Sequence, residues 1–180
     1  AREYEDALQW LVDARLVHKI YRSSAPGLPV AAYDDLSAFK IYLVDVGLLR
    51  RLAQLAPTAF GEGNRLFTEF KGALTENFVL QTLVTQFEVI PRYWTQTNPP
   101  YEVDFLIQRE NDIFPVEVKS EAHTSSKSLK KFKELFPDKV KLRVRFSLDN
   151  MKLDDDVLNI PLFMTDQADR LIGLALEQKS

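Results

Sequence analysis

Alternation of apolar and polar positions is clearest in two segments near the middle of the chain, 102–107 and 114–119. A period of two is typical of β-strands, and Glu110-Asn111-Asp112 between the segments has the composition of a turn. The pattern therefore predicts a β-hairpin with one apolar face. That face would hold Val103, Phe105, Ile107, Phe114, Val116 and Val118.

The other face of this hairpin is predicted to carry charges. With an even number of residues in the turn, strand parity places Glu102, Asp104, Glu117 and Lys119 together. Because opposite strand positions lie about 5 Å apart, the carboxylates are candidate ligands of one divalent cation. Lys119 would then stand next to whatever the cation binds.

The flanking segments predict further elements in a definite order. Positions 65–87 form a long, proline-free segment with helical periodicity, which indicates a buried core helix. A strand at 89–94, a loop at 95–100 and the hairpin follow. Thr124-Ser125-Ser126 would cap the next helix, after which 140–146 alternates as a strand. The order is α-β-β-β-α-β, and the tail adds an apolar run at 160–164 and a helix at 166–176.

The first sixty residues predict a smaller unit. A helical stripe ends near Ala14, strands follow at 16–21 and 38–44, and Asp45 is placed to cap a helix. A helix followed by a hairpin is how a winged-helix module ends, so we predict a partial winged-helix-like unit at 1–60 and a second domain at 61–180. The alternative for 1–60 is a packing subdomain without its own function.

Composition limits the classes of protein that are compatible with this chain. Of its 180 residues 46% are hydrophobic, which suffices for a core, and there is no cysteine for disulfide or thiolate chemistry. The apolar stretches are too short to cross a membrane, and no signal-peptide pattern is present. These features predict a cytoplasmic location without membrane partners. The first residue is Ala rather than Met, so we expect a segment of a longer protein.

Charge is unevenly distributed along the chain. The net charge is −3, yet from Lys119 to Arg145 basic residues outnumber acidic ones by nine to three. Basic side chains in this stretch could contact the phosphates of a nucleic acid. The candidates are Lys127, Lys130, Lys131, Lys133, Arg143 and Arg145.

The motif residues and the element order resemble the PD-(D/E)xK nuclease superfamily. Asp104 matches its first acidic position, Glu117-Val118-Lys119 its (Asp/Glu)-x-Lys triplet, and Glu76 the glutamate that often comes from the first core helix. This resemblance covers about 65–146 and implies a restriction-endonuclease-like α/β fold.

A wider resemblance covers nearly the whole chain. The phrases at 4–17, 39–52, 72–80, 102–107 and 116–120 are similar to domain of unknown function 4143, which forms the C-terminal part of bacterial and archaeal AAA-type ATPases. The resemblance implies an upstream ATPase module in the parent protein. This chain itself has no Gly-x-x-x-x-Gly-Lys-(Ser/Thr) motif, so no nucleotide cofactor is assigned to it.

The nuclease resemblance implies Mg²⁺, or Mn²⁺, as the cofactor. Asp104 and Glu117 would bind the ion, Glu76 would bind it through water, and Lys119 would orient or activate the attacking water. The expected activity is hydrolysis of DNA phosphodiester bonds. The alternative is a noncatalytic domain that binds nucleic acid or protein and regulates the attached ATPase.

Overall fold

The computed structural model describes residues 4–55, 65–122 and 126–179, with the side chains of 65–68 excluded. These residues form an α/β structure of five α-helices, two 3₁₀ helices and eight strands, which confirms the predicted class. The helices are α1 (Glu5–Asp13), α2 (Val46–Leu52), α3 (Arg65–Leu83), α4 (Lys127–Leu135) and α5 (Ala168–Glu177). The strands are β1 (Val17–Ser23), β2 (Asp34–Leu43), β3 (Arg92–Gln96), β4 (Tyr101–Arg109), β5 (Asp112–Val118), β6 (Arg143–Ser147), β7 (Lys152–Asp154) and β8 (Val157–Pro161).

All eight strands belong to one mixed sheet in the order β2-β1-β3-β4-β5-β6-β8-β7. The pairs β1/β2, β3/β4, β4/β5 and β7/β8 are antiparallel, whereas β1/β3, β5/β6 and β6/β8 are parallel. From α3 to β6 the elements follow the predicted order α-β-β-β-α-β. The parallel strands β5, β6 and β8 therefore end at a common edge, close to the last residues of the predicted motif.

The central hairpin is confirmed. Phe105 pairs with Val116, Ile107 with Phe114, and Arg109 with Asp112. The turn thus holds two residues, an even number, and the pairing runs as far as Phe105 and Val116, with Asp104 and Glu117 just beyond it.

The predicted apolar face of this hairpin is wrong at Val103. Pairing of β3 with β4 shifts by one residue between Arg92 and Trp94. An extra residue in one strand reverses the alternation, so Val103 packs with Trp94, whereas Phe105 and Ile107 belong to another cluster.

Two apolar clusters cover opposite sides of the hairpin. The larger one joins β4 and β5 to α3 and α5, with Val79, Leu80 and Ile172 fully buried. The smaller one packs Leu129 and Phe132 of α4 against β3, β4 and β5. Both sides of the hairpin are therefore covered, and of its carboxylates Glu117 is buried whereas Glu102 is exposed.

Several boundaries differ from the predicted ones. β3 begins at Arg92 rather than 89, because Pro91 offers no N–H for the ladder. β2 begins at Asp34, earlier than the predicted 38, and β6 begins at Arg143, later than the predicted 140. α3 ends at Leu83, earlier than the predicted 87. Of the predicted cap of α4, Thr124 and Ser125 lie outside the described residues, and Ser126 makes no side-chain capping bond.

The N-terminal elements follow the predicted order. α1 and β1 lie where helix and strand were predicted, and the Asp45 side chain accepts the Leu48 N–H at 2.9 Å to cap α2. β1 and β2 pair as a hairpin at one edge of the sheet. The division at residue 60 and the winged-helix-like character stay predictions. Among the described residues no helix is both long and apolar enough to cross a membrane.

Candidate functional site

Asp104 is held at the point where β4 leaves its pairing with β5. Its Oδ2 accepts the backbone N–H of Val118 at 2.7 Å. This bond takes the place of a ladder bond at the end of β5, so it fixes the Asp104 carboxylate beside the Glu117-Val118-Lys119 backbone.

Glu117 and Lys119 project from the end of β5. The Lys119 Nζ lies 2.7 Å from Glu117 Oε1, and the Lys119 N–H donates to the Phe146 carbonyl at 2.8 Å. Glu117 is 4% exposed, and its Oε2 is buried without a hydrogen-bond partner. A buried carboxylate oxygen without a partner is costly. A cation at this oxygen would remove that cost.

Glu76 reaches the same region from α3. It accepts a hydrogen bond from the Tyr42 hydroxyl at 3.0 Å, and the Lys40 Nζ lies 4.0 Å away. Lys40 also bonds to Glu102 and lies over the Tyr93 ring, 5.1 Å from its centre. Glu76 is thus engaged by two side chains of β2.

Lys40 and Tyr42 were missed in the sequence. Their only signal is parity, because they lie two residues apart on one side of a strand whose other side carries Phe39 and Ile41. Nothing local indicates that this strand would reach the acidic residues. The contact depends on the packing of β2 against α3.

The electrostatics of the cluster are dominated by burial and by neighbouring carboxylates. Burial raises the pKa of Asp104 to about 7, and the charges of Glu76 and Glu117 act in the same direction against the Val118 hydrogen bond and Lys40. Burial and Glu76 likewise raise the pKa of Tyr42. Burial acts to lower the pKa of Lys40, but the bond with Glu102 and the charges of Glu76, Glu102 and Asp104 outweigh it and raise that pKa.

Asp104 and Glu117 are the two candidate ligands for a metal ion. Among the described residues no group of three or more His, Cys, Asp or Glu side chains forms a metal-binding cluster, so Glu76 does not complete a three-carboxylate site. Mg²⁺ is commonly held by one or two carboxylates together with water and substrate phosphate. Asp104 and Glu117, with the unpartnered Oε2 of Glu117, meet that smaller requirement.

Five of the six basic residues proposed for phosphate contact divide into two groups. Lys133 donates to the Pro137 and Val140 carbonyls, Lys131 lies 3.5 Å from Glu134, and Arg143 is ion-paired with Asp156. These three side chains therefore have contacts within the fold. Lys127 and Lys130 are exposed on α4.

Arg145, the sixth of these basic residues, is next to Glu117 in the sheet. It is the registered neighbour of Glu117 in β6, and it donates to Asn159 at 2.8 Å and to Ser126 at 3.5 Å. With Lys130, Arg143 and Lys152 it lines a cavity of about 270 Å³. A basic cavity thus lies beside Glu117 on the adjacent parallel strands.

Comparison with known proteins gives two family matches. The model described as Domain of unknown function (DUF4143) matches residues 71–163, which include every element from β3 to β8, and confirms that predicted resemblance. The model described as Domain of unknown function (DUF8612) matches residues 1–59. No curated protein and no solved structure matches the chain.

Proposed function

Because the chain belongs to the family described as Domain of unknown function (DUF4143), we propose a function for it from its own side chains: metal-dependent hydrolysis of DNA phosphodiester bonds. In this proposal the chain is the nuclease-like C-terminal part of an AAA-type ATPase, with a restriction-endonuclease-like core of the PD-(D/E)xK type. The observation that carries it is the contact of Asp104 with the Val118 N–H, inside the Glu117-Val118-Lys119 triplet whose Lys119 ammonium lies 2.7 Å from Glu117.

Each side chain has a distinct task in this reaction. Asp104 and Glu117 would hold Mg²⁺ or Mn²⁺. When bound, the ion would neutralise the charge that develops on the phosphate and lower the pKa of a bound water. Lys119 donates its N–H bonds to the attacking water or to a phosphate oxygen. Glu76, bonded to Tyr42, contributes to the negative potential at Asp104.

Phosphate contacts complete the proposed site. Lys127 and Lys130 are exposed on α4, and Arg145 lies beside Glu117. We assign smaller roles to Lys131, Lys133 and Arg143, because each already contacts an acidic side chain or a carbonyl group of the fold. Such contacts would position DNA without reading its sequence.

Cleavage of supercoiled plasmid DNA in Mn²⁺ tests the activity. Lys119→Met should lower the cleavage rate about 100-fold, because it removes the ammonium group that orients water and phosphate. Lys139→Met, at an exposed position after α4 and outside the proposed phosphate contacts, is the matched control and should retain the wild-type rate. Equal cleavage by wild type and Lys119→Met would exclude the proposed role of Lys119.

A noncatalytic domain that binds nucleic acid or protein and regulates the ATPase is the second candidate. The ion pair of Lys119 with Glu117 favours this function, and so do the contacts of Lys40 and Tyr42 with Glu76. These contacts compensate part of the negative charge of the two glutamates without a metal. Calorimetry with Mn²⁺ separates the two functions. A metal site predicts that Asp104→Asn weakens binding at least about tenfold and that Lys40→Met, which removes a competing cation, strengthens it. Absence of Mn²⁺ binding in all three proteins would favour the noncatalytic function.

A further inference from the structure

An apolar cavity of about 430 Å³ opens at the carboxyl ends of the three parallel strands. Ser120, Leu148 and Leu162, which follow β5, β6 and β8, each contribute to its lining, and α2 and α3 form the remaining walls. Ligands of α/β proteins commonly bind outside the carboxyl ends of parallel strands. The volume is within the range of about 300 to 1,000 Å³ that is typical of small-molecule sites.

The lining combines an apolar surface with positive charge. Leu74, Phe78, Leu148 and Leu162 provide most of the wall, while Arg50 and Lys71 are its charged members; no acidic side chain is among the described residues that line it. Such a lining is complementary to a ligand with a flat apolar body and an anionic group.

Two chain connections join this cavity to the candidate site. Ser120 directly follows Lys119 on one wall, and Thr75 directly precedes Glu76 on the other. The walls of the cavity are therefore each one residue along the chain from a side chain of the candidate site, Lys119 and Glu76. A nucleotide has the required parts, because its base has an apolar face and its phosphate is anionic.

We propose that this cavity, lined by Arg50, Lys71, Phe78 and Leu148, binds one unpaired nucleotide of a DNA strand whose neighbouring phosphate lies at Lys119. The base of this nucleotide packs against the apolar wall, and Arg50 and Lys71 contact the phosphate of the same nucleotide. Because a base must leave its duplex stack to enter a pocket, the cavity selects single-stranded DNA or a frayed end. The inference rests on the proposed function and specifies its substrate class.

Binding without catalysis tests the inference. Fluorescence anisotropy in EDTA would compare a labelled 12-nucleotide single strand with a blunt duplex of the same sequence. Leu148→Glu places a negative charge at an exposed position of the lining, and Leu174→Glu makes the same change at an exposed position of α5 outside it. Lys71→Gln removes a positive charge from the cavity.

We expect Leu148→Glu to raise the dissociation constant for the single strand at least fivefold, and Lys71→Gln about threefold. The preference of the wild type for the single strand over the duplex should fall in both variants and persist in Leu174→Glu. Equal losses for single strand and duplex, or no loss in either cavity variant, would overturn the inference while leaving plasmid cleavage and Mn²⁺ binding intact. No binding of either DNA by the wild type would overturn both the inference and the proposed substrate, whereas loss of Mn²⁺ binding alone would affect only the proposed function.

Discussion

At the scale of single residues, Asp104 and Glu117 lie just beyond the paired part of the hairpin and have different surroundings. Asp104 has a backbone donor in Val118 and no adjacent ion-pair partner, whereas Glu117 is paired with Lys119. The negative charges of Glu76 and Glu117 add to the effect of burial at Asp104, and its pKa is about 7. Asp104 is therefore the carboxylate that holds a proton near neutral pH when no cation is bound.

The raised pKa of Asp104 predicts a pH-dependent cost to stability. The folded state binds a proton up to about pH 7 and the unfolded state only up to about pH 3.8, so this group lowers the free energy of unfolding as pH rises between those values. Asp104→Asn cannot ionise. Its stability relative to wild type should rise by about 2 kcal/mol from pH 5 to pH 8.

Urea unfolding in EDTA at both pH values measures this difference. Asp138→Asn, at an exposed position after α4, controls for the loss of one carboxylate and should show no comparable change. A stability difference between wild type and Asp104→Asn that is the same at pH 5 and pH 8 would contradict the assigned pKa.

At the scale of elements, the position of β2 determines which side chains reach the acidic cluster. Asn77 of α3 is 1% exposed and bonds to both backbone groups of Leu43, accepting its N–H at 2.8 Å and donating to its carbonyl at 3.0 Å. Tyr42, the adjacent residue, bonds to Glu76 one residue earlier in α3. The three bonds together fix the register of β2 along α3.

Asn77→Ala should therefore destabilise the protein by about 2 kcal/mol, because the N–H and carbonyl of Leu43 lose their buried partner. Thr82→Ala on the same helix removes a hydroxyl that bonds only within α3, to the Phe78 carbonyl at 3.0 Å, and should cost less than about 1 kcal/mol. Urea unfolding of the two variants provides the comparison. Similar costs would mean that Asn77 does not hold β2 in place.

Local patterns predicted the hairpin but not its surroundings. Strand alternation and turn composition were enough to predict the pairing of β4 with β5. The side on which Val103 packs depends on the register of the neighbouring strand β3, which alternation within β4 does not encode. For the same reason Lys40 was missed, since its contact with Glu102 joins residues 62 positions apart.

At the scale of the whole molecule, the N-terminal hairpin joins the rest of the sheet through a narrow connection. In the described strands β1 and β3 share one registered pair, Arg22 with Tyr93. The connection is supported by Arg92 of β3, whose guanidinium donates to both oxygens of Asp34 at 2.7 and 2.9 Å. Each of these two side chains is 12% exposed, so the ion pair is shielded from water.

Arg92→Met should loosen this connection without disturbing the central hairpin. Without the Arg92 guanidinium, the Asp34 carboxylate has no ion-pair partner and is largely shielded from water. Breaking a fully buried ion pair in this way costs several kcal/mol. We expect amide hydrogen exchange in β1 and β2 to accelerate at least tenfold, equivalent to about 1.4 kcal/mol, while exchange in β4 and β5 changes less than threefold. Arg109→Met is the matched control, because it removes an ion pair with Asp169 that joins β4 to α5. If exchange accelerates equally in all four strands, the hairpin opens only with the whole sheet, and the predicted division near residue 60 has no counterpart in the stability of the molecule.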